Sequence, residues 1–273
     1  MGVRVAGYLV LIGACGGPNR GDVRSPPNDD PGPTETAPPG ETDVVDTDVV
    51  DTDVVDDGPC PPGMALVDDR VCVDRWEAHL EVWDGVAWLP RSPYSEVGDA
   101  TVRAASPTAG AVPQGYVSGA EAADACEAAG KRLCTSEEWL AACQGPDDWT
   151  WPYGATYQSG ACNDVYAGGH PVVDYFGTSD GVWDGAHMND PGINQQPNSL
   201  ARGGEFALCE SAWGVFDLHG NLHEWVDDPA GTFRGGFYAD GDINGPGCTY
   251  RTTAHDFGYH DYSTGFRCCV DPR

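Results

Sequence analysis

Lysine is almost missing from this chain: Lys131 is the single example, and arginine brings the basic total to only 14 against 43 acidic residues. A formal charge of −29 without any basic stripe leaves nothing to neutralise phosphates, which excludes nucleic-acid binding. No run of about 18 apolar residues occurs, so a spanning helix is not encoded. CxxC, HExxH and GxxxxGK are all absent, leaving zinc-knuckle, zinc-protease and P-loop chemistry without support.

The charge is unevenly spread. Residues 16–58 hold 12 acidic and two basic residues and no aromatic one, while all nine Trp fall within residues 59–273. The second stretch is the one able to bury a sizeable core. The first is Pro, Gly, Asp and Thr, with Thr-Asp-Val-Val-Asp recurring at Thr42, Thr47 and Thr52. That composition cannot offset its ordering entropy, so residues 15–58 are expected to form a disordered, self-repelling acidic tether. Weak calcium condensation on the run is the lesser alternative. Ahead of it, residues 1–14 read as an export signal, with Arg4 before the apolar run Val5 to Ile12 and small residues at Gly13 and Ala14. Ile12-Gly13-Ala14-Cys15 resembles the bacterial lipobox. That resemblance implies lipidation at Cys15 and a membrane-anchored lipoprotein, of the outer membrane, on its periplasmic or surface face.

Beyond Cys15 there are ten cysteines: Cys60, Cys72, Cys126, Cys134, Cys143, Cys162, Cys209, Cys248, Cys268 and Cys269. An even number in an exported chain predicts up to five disulfides. Cys60 and Cys72 flank an expected hairpin, Met64 to Val67 and Val71 to Val73 with Asp68-Asp69 at the turn, and are expected to pair. Adjacent Cys268 and Cys269 point to opposite faces of a strand, so they should tie to two different elements.

Two helices are announced by capping boxes. Ser118 with Glu121 opens an Ala-rich run ended by Gly130, and Thr135 with Glu138 opens a second run closed by Gly145-Pro146. Elsewhere Gly, Pro, Asn and Asp recur every few residues, leaving short strands such as Val71 to Asp74, Phe233 to Tyr238 and Gly265 to Cys269. The expected class is α+β, loop-rich and disulfide-stapled.

The ordered blocks Gly130-Lys131-Arg132-Leu133-Cys134-Thr135-Ser136-Glu137-Glu138-Trp139, Trp151-Pro152-Tyr153-Gly154, Cys162-Asn163, Gly214 through Trp225, Arg234-Gly235-Gly236 and Gly265-Phe266-Arg267-Cys268 resemble the formylglycine-generating enzyme, or sulfatase-modifying factor, family. The resemblance implies that family's variant of the C-type lectin fold over residues 59–273. It also implies calcium. Asp217, Gly220, Leu222 and Glu224 match one calcium loop, two side-chain oxygens with two carbonyls; Asn163, Asp164, Asp180 and Val182 match a second, more loosely.

Catalytic residues do not carry over. Family members that oxidise a substrate cysteine hold copper(I) with two cysteines, since soft thiolates are what that ion requires. Asp240 stands at the first copper position, Phe237 at that of the active-site hydroxyl, and only Cys248 lies near the second. Copper is therefore not expected. The resemblance pairs Cys126 with Cys268; it puts Thr252 where the usual partner of Cys143 would be, which suggests Cys143 with Cys162, Cys209 with Cys248, and Cys134 with Cys269.

His219 and His223 stand four apart beside Glu224, but Gly220-Asn221 breaks the helical spacing that metal binding would need, favouring a loop with an exposed or core histidine. His255 and His260, with Asp256, Tyr259, Asp261 and Tyr262, are candidates for a polar pocket or an iron site. Trp139, Trp151 and Trp225 read as core, whereas Trp83, Trp88 and Trp183, beside Gly and Asp, suit an exposed surface for a peptide or saccharide. The expected function is a ligand-binding or structural lipoprotein module, with residues 237–263 as the face that related retroelement-diversified lipoproteins use for ligands. The alternative is a copper-dependent oxidase that makes formylglycine in a sulfatase.

Overall fold

The computed structural model describes residues 58–273. The predicted signal, Cys15 and the acidic repeats lie outside the described residues.

In chain order the strands are β1 (Met64–Val67), β2 (Val71–Asp74), β3 (Leu80–Trp83), β4 (Trp88–Pro90), β5 (Val102–Ala104), β6 (Arg132–Leu133), β7 (His223–Trp225), β8 (Phe233–Arg234), β9 (Arg251–Thr252), β10 (Thr264–Phe266) and β11 (Cys268–Val270). The helices are α1 (Gly119–Ala128), α2 (Ser136–Gln144), α3 (Pro171–Phe176) and α4 (Gly185–Met188). They make three small sheets, ordered β1-β2-β11-β6, β10-β7-β8-β9 and β4-β3-β5.

Local chemistry explains the elements that form as expected. Both capping boxes are closed: Ser118 Oγ accepts from the Glu121 N–H while Glu121 accepts from the Ser118 N–H, and Thr135 and Glu138 repeat the exchange. The β1–β2 hairpin turns through Asp68 and Asp69, whose φ of 52° and 54° lie in the left-handed region that Asp tolerates.

Two expected strands are cut short. Phe233 to Tyr238 is strand only at β8, because Gly235 and Gly236 follow with φ of 84° and 75° and turn the chain away. Gly265 to Cys269 is split at Arg267: β10 pairs in parallel with β7, whereas β11 pairs antiparallel with β2 and β6. The buried Arg267 is thus the residue at which the chain passes from one sheet to another.

The apolar residues gather in clusters around these sheets. One joins α1 to Trp225, Phe233 and Phe266; a second joins α2 to β1, β2, Leu218 and Val226. Five disulfides join the ten cysteines among the described residues. Cys60–Cys72, Cys126–Cys268 and Cys134–Cys269 pair as anticipated, and Cys268 and Cys269 do tie to separate elements.

The other two pairings need correction. Cys143 bonds Cys248, not Cys162, and Cys209 bonds Cys162, not Cys248. The reason is packing: α2 buries Trp139, Ala142 and Cys143 on one face, and the short helical turn at Gly247–Thr249 brings Cys248 into that same cluster, Cα to Cα 5.5 Å from Cys143.

Candidate functional site

The Gly-Gly turn after β8 builds the region where the resemblance places the copper chemistry. A Cβ at Gly236 would lie 2.4 Å from the Asp240 carbonyl, so glycine is what lets Phe237 and Asp240 close a tight turn, their backbones exchanging bonds of 2.8 and 3.0 Å. The Phe237 ring is buried against His223, Tyr238 and Tyr262 and offers no hydroxyl. Asp240 is fully engaged: its Oδ2 accepts from the Tyr250 hydroxyl at 2.8 Å, and its Oδ1 from the N–H groups of Asp242 and Ile243 at 3.3 and 3.0 Å. Cys248 is in its bridge. No pair of thiolates faces this loop, and the donor set present does not fit copper(I).

A cleft of about 490 Å³ opens beside it, walled by Trp151, Tyr157 and Tyr166 and bearing Asp164, Asp240 and Asp242. Its lining contains no Lys or Arg. His219 and Asp164 form its inner edge, Nε2 to Oδ2 3.1 Å, with side chains only 1 % and 6 % exposed. Trp151 stands edge-on to the His219 ring at 4.9 Å, so it walls the cleft rather than filling the core. Gly241 is required here, since a Cβ would lie 2.9 Å from His219 Cε1. Both His219 Nδ1 and Asp164 Oδ1 are buried without a hydrogen-bond partner. Burial, then the nearby Asp164 charge and the closeness of the Tyr157 hydroxyl to that carboxylate, raise the pKa of Tyr157. A larger cavity, about 610 Å³, is lined by Pro61, His79, Arg103 and Lys131 among others, and shares no residue with this one or with the predicted sites.

The first predicted calcium loop has become part of an ion cluster. Glu224 accepts from Arg267 Nε and Nη2, each at 2.6 Å, and from Trp139 Nε1 at 2.9 Å. Asp217 accepts the Gly204 N–H at 2.7 Å, and Glu77, which the sequence reading missed, accepts the Leu222 N–H at 3.0 Å and pairs with the Asn221 amide. Burial, reinforced by the neighbouring carboxylates, pushes Glu77 well up, and burial takes Asp217 up to about 7. Burial works against the Arg267 charge, but contact with Glu224 leaves its pKa raised. Arg267 and Trp139 thus already serve Glu224 where the resemblance places one of the calcium oxygens. At the second loop the Asn163 amide donates to the Ser199 carbonyl and to Asn221, Asp164 faces His219, Asp180 is exposed, and Val182 packs in an apolar cluster. Among the described residues no three His, Cys, Asp or Glu side chains converge as a metal site.

The remaining histidines are separated. His223, buried four residues from His219, stacks on Phe233, and burial lowers its pKa to about 4. His255 stacks on Tyr259 at 3.6 Å and His260 bonds Asn189, so they do not meet as ligands. Trp83 and Trp183 are exposed as expected, and Trp88 is half-buried under Arg103. Gly177-Thr178-Ser179-Asp180-Gly181 spells the nucleophile-elbow pattern, but it leaves α3 with no strand leading into it, which the elbow requires.

Solved structures similar to the chain include PvdO from Pseudomonas aeruginosa, at 15 % identity and a TM-score of 0.44, covering 78 % of this chain and all of that one. Two variants of the Major Tropism Determinant, U1 and P3c, are 16 % identical with TM-scores of 0.41 and 0.42, each covering 79 % of this chain and 54 % of its own. No curated protein matches. The family model of the sulfatase-modifying factor enzyme 1-like domain matches residues 63–272, most of the chain, and with the α+β, loop-rich, five-disulfide architecture described above, the protein belongs to that FGE-sulfatase family.

Proposed function

We propose that the protein is an exported lipoprotein, anchored through Cys15, whose sulfatase-modifying-factor-type domain serves as a ligand-binding module and not as a copper oxidase. The observation that carries this reading is that Cys248 is bridged to Cys143, while Asp240 accepts from the hydroxyl of Tyr250, two residues beyond Cys248. Copper(I) needs two soft donors, and this loop supplies a hydrogen-bonded carboxylate and an oxidised sulfur. The neighbouring cleft supports the binding role: it is concave, walled by aromatic rings and furnished with a few convergent polar groups. Asp164 and His219 give it orientation.

A thiol titration of the denatured, unreduced protein with mass mapping of its bridges tests the reading, together with copper(I) uptake and oxidation of a sulfatase-derived cysteine peptide. The expected result is no free thiol in the domain, no stoichiometric copper and no oxidised peptide. Free Cys143 and Cys248 with conversion of the peptide would establish the oxidase instead. Anchoring is tested by Cys15→Ser, which should move the protein from the membrane fraction to the soluble fraction.

A further inference from the structure

We propose that the cleft at Asp164 and His219 receives the lysine side chain of a partner peptide; this rests on the ligand-binding reading above and names its ligand class. The first support is charge. Three carboxylates, Asp164, Asp240 and Asp242, border the cleft and no Lys or Arg does, so its field favours a cation over a neutral or anionic ligand.

The second support is independent of charge. Asp164 Oδ1 is buried without a hydrogen bond of normal geometry, in a side chain only 6 % exposed. Besides His219, the donor in the cleft wall that acts on this carboxylate is the Tyr157 hydroxyl, whose own pKa burial and this contact raise. With His219 Nε2–H donating to Asp164 Oδ2, the buried Nδ1 of His219 is a bare acceptor as well. Unpaired buried acceptors are costly and are met by a group that only donates. An ammonium, with three N–H donors and no acceptor, is such a group.

The third is the shape of the lining. Trp151, Tyr157 and Tyr166 line the cleft, with the Trp151 and Tyr157 ring centroids 5.0 Å apart, and the face of an aromatic ring attracts a cation. Val165 and Ile243 flank the same opening and are 66 % and 78 % exposed. An acidic floor under an aromatic and aliphatic rim matches a side chain with a charged head on an apolar stem, which lysine has. The rim is a surface on which the peptide around that lysine can lie.

The test is titration calorimetry of the full chain, in about 150 mM salt to suppress long-range attraction, with a short Gly/Ser peptide carrying one central lysine. The comparison probes are the same peptide with Nε-acetyl-lysine and free butylamine. Variants are Asp164→Asn, which keeps shape and removes charge, and Glu127→Gln, an exposed acid on α1 outside the cleft. The lysine peptide should bind, acetylation and Asp164→Asn should each weaken it about tenfold or more, and Glu127→Gln should leave it unchanged. Equal binding of the acetylated peptide, or indifference to Asp164→Asn, would overturn the proposal. So would equal losses in both variants, which mean diffuse attraction to an acidic protein, and binding of butylamine as tight as that of the peptide, which means a small amine is the ligand. Copper and thiol assays are separate readouts: an active oxidase that still binds lysine through Asp164 defeats only the earlier reading, and an inactive one that does not defeats only this one.

Discussion

Arg267 grips Glu224 side-on, with Nε and Nη2 each 2.6 Å from a different carboxylate oxygen, while Nη1 and Nη2 also donate to the carbonyls of Asp74 and Phe216 at 3.0 and 2.9 Å. The Arg267–Glu224 pair is buried, at the point where the chain passes from β10 to β11. The one guanidinium therefore holds both the crossing and the acidic cluster of Glu77, Asp217 and Glu224.

Removing that cation leaves uncompensated buried carboxylates. Arg267→Met should cost about 3–5 kcal/mol in urea unfolding with the disulfides intact. The Arg267→Met/Glu224→Gln double variant should lose less than the sum of the single losses, and strict additivity would mean that the pair is not coupled.

His223 makes stability depend on pH. Its folded pKa, about 4, lies below the value of about 6.5 for an exposed imidazole, so its contribution is complete above 6.5 and is lost as pH falls towards 4. The full loss is on the order of 3 kcal/mol. His223→Phe removes this dependence, so the stability of the variant relative to the native chain should rise between pH 7 and pH 4. A constant difference across that range would contradict the assignment.

The bridges should differ in weight. Cys162–Cys209 closes a loop of 47 residues that no other bridge shortens, and Cys60–Cys72 one of only 12. By loop entropy, replacing the first pair with Ala should cost about 4 kcal/mol and the second about 3. Melting temperatures of the two paired variants measure the order.

The α1 cap is a smaller and separable effect. Ser118→Ala removes the acceptor for the Glu121 N–H and should cost about 1 kcal/mol. Far-ultraviolet circular dichroism across a urea series should show the midpoint lowered and the native helix content kept.

Features set by neighbours along the chain could be read directly. Both capping boxes need only residues three apart, and the Cys60–Cys72 hairpin needs only a turn, so these were legible in Ser118, Glu121, Thr135, Glu138, Asp68 and Asp69. The family was legible in its ordered motifs, and the resemblance also named the Cys126–Cys268 bridge.

The exchange of partners between Cys143, Cys162, Cys209 and Cys248 was not legible, because four cysteines of similar surroundings are sorted only when α2 and the Gly247–Thr249 turn pack. Trp151 becomes a cleft wall, and His219 meets Asp164, across 55 residues; Glu77 reaches Leu222 across 145. Local propensity carries no information at such separations. Residue order thus settles where the chain turns, caps and carries its charge, whereas which buried groups meet, and which acceptors are left bare at Asp164 and His219, follows from close packing and the need of each buried polar atom for a partner.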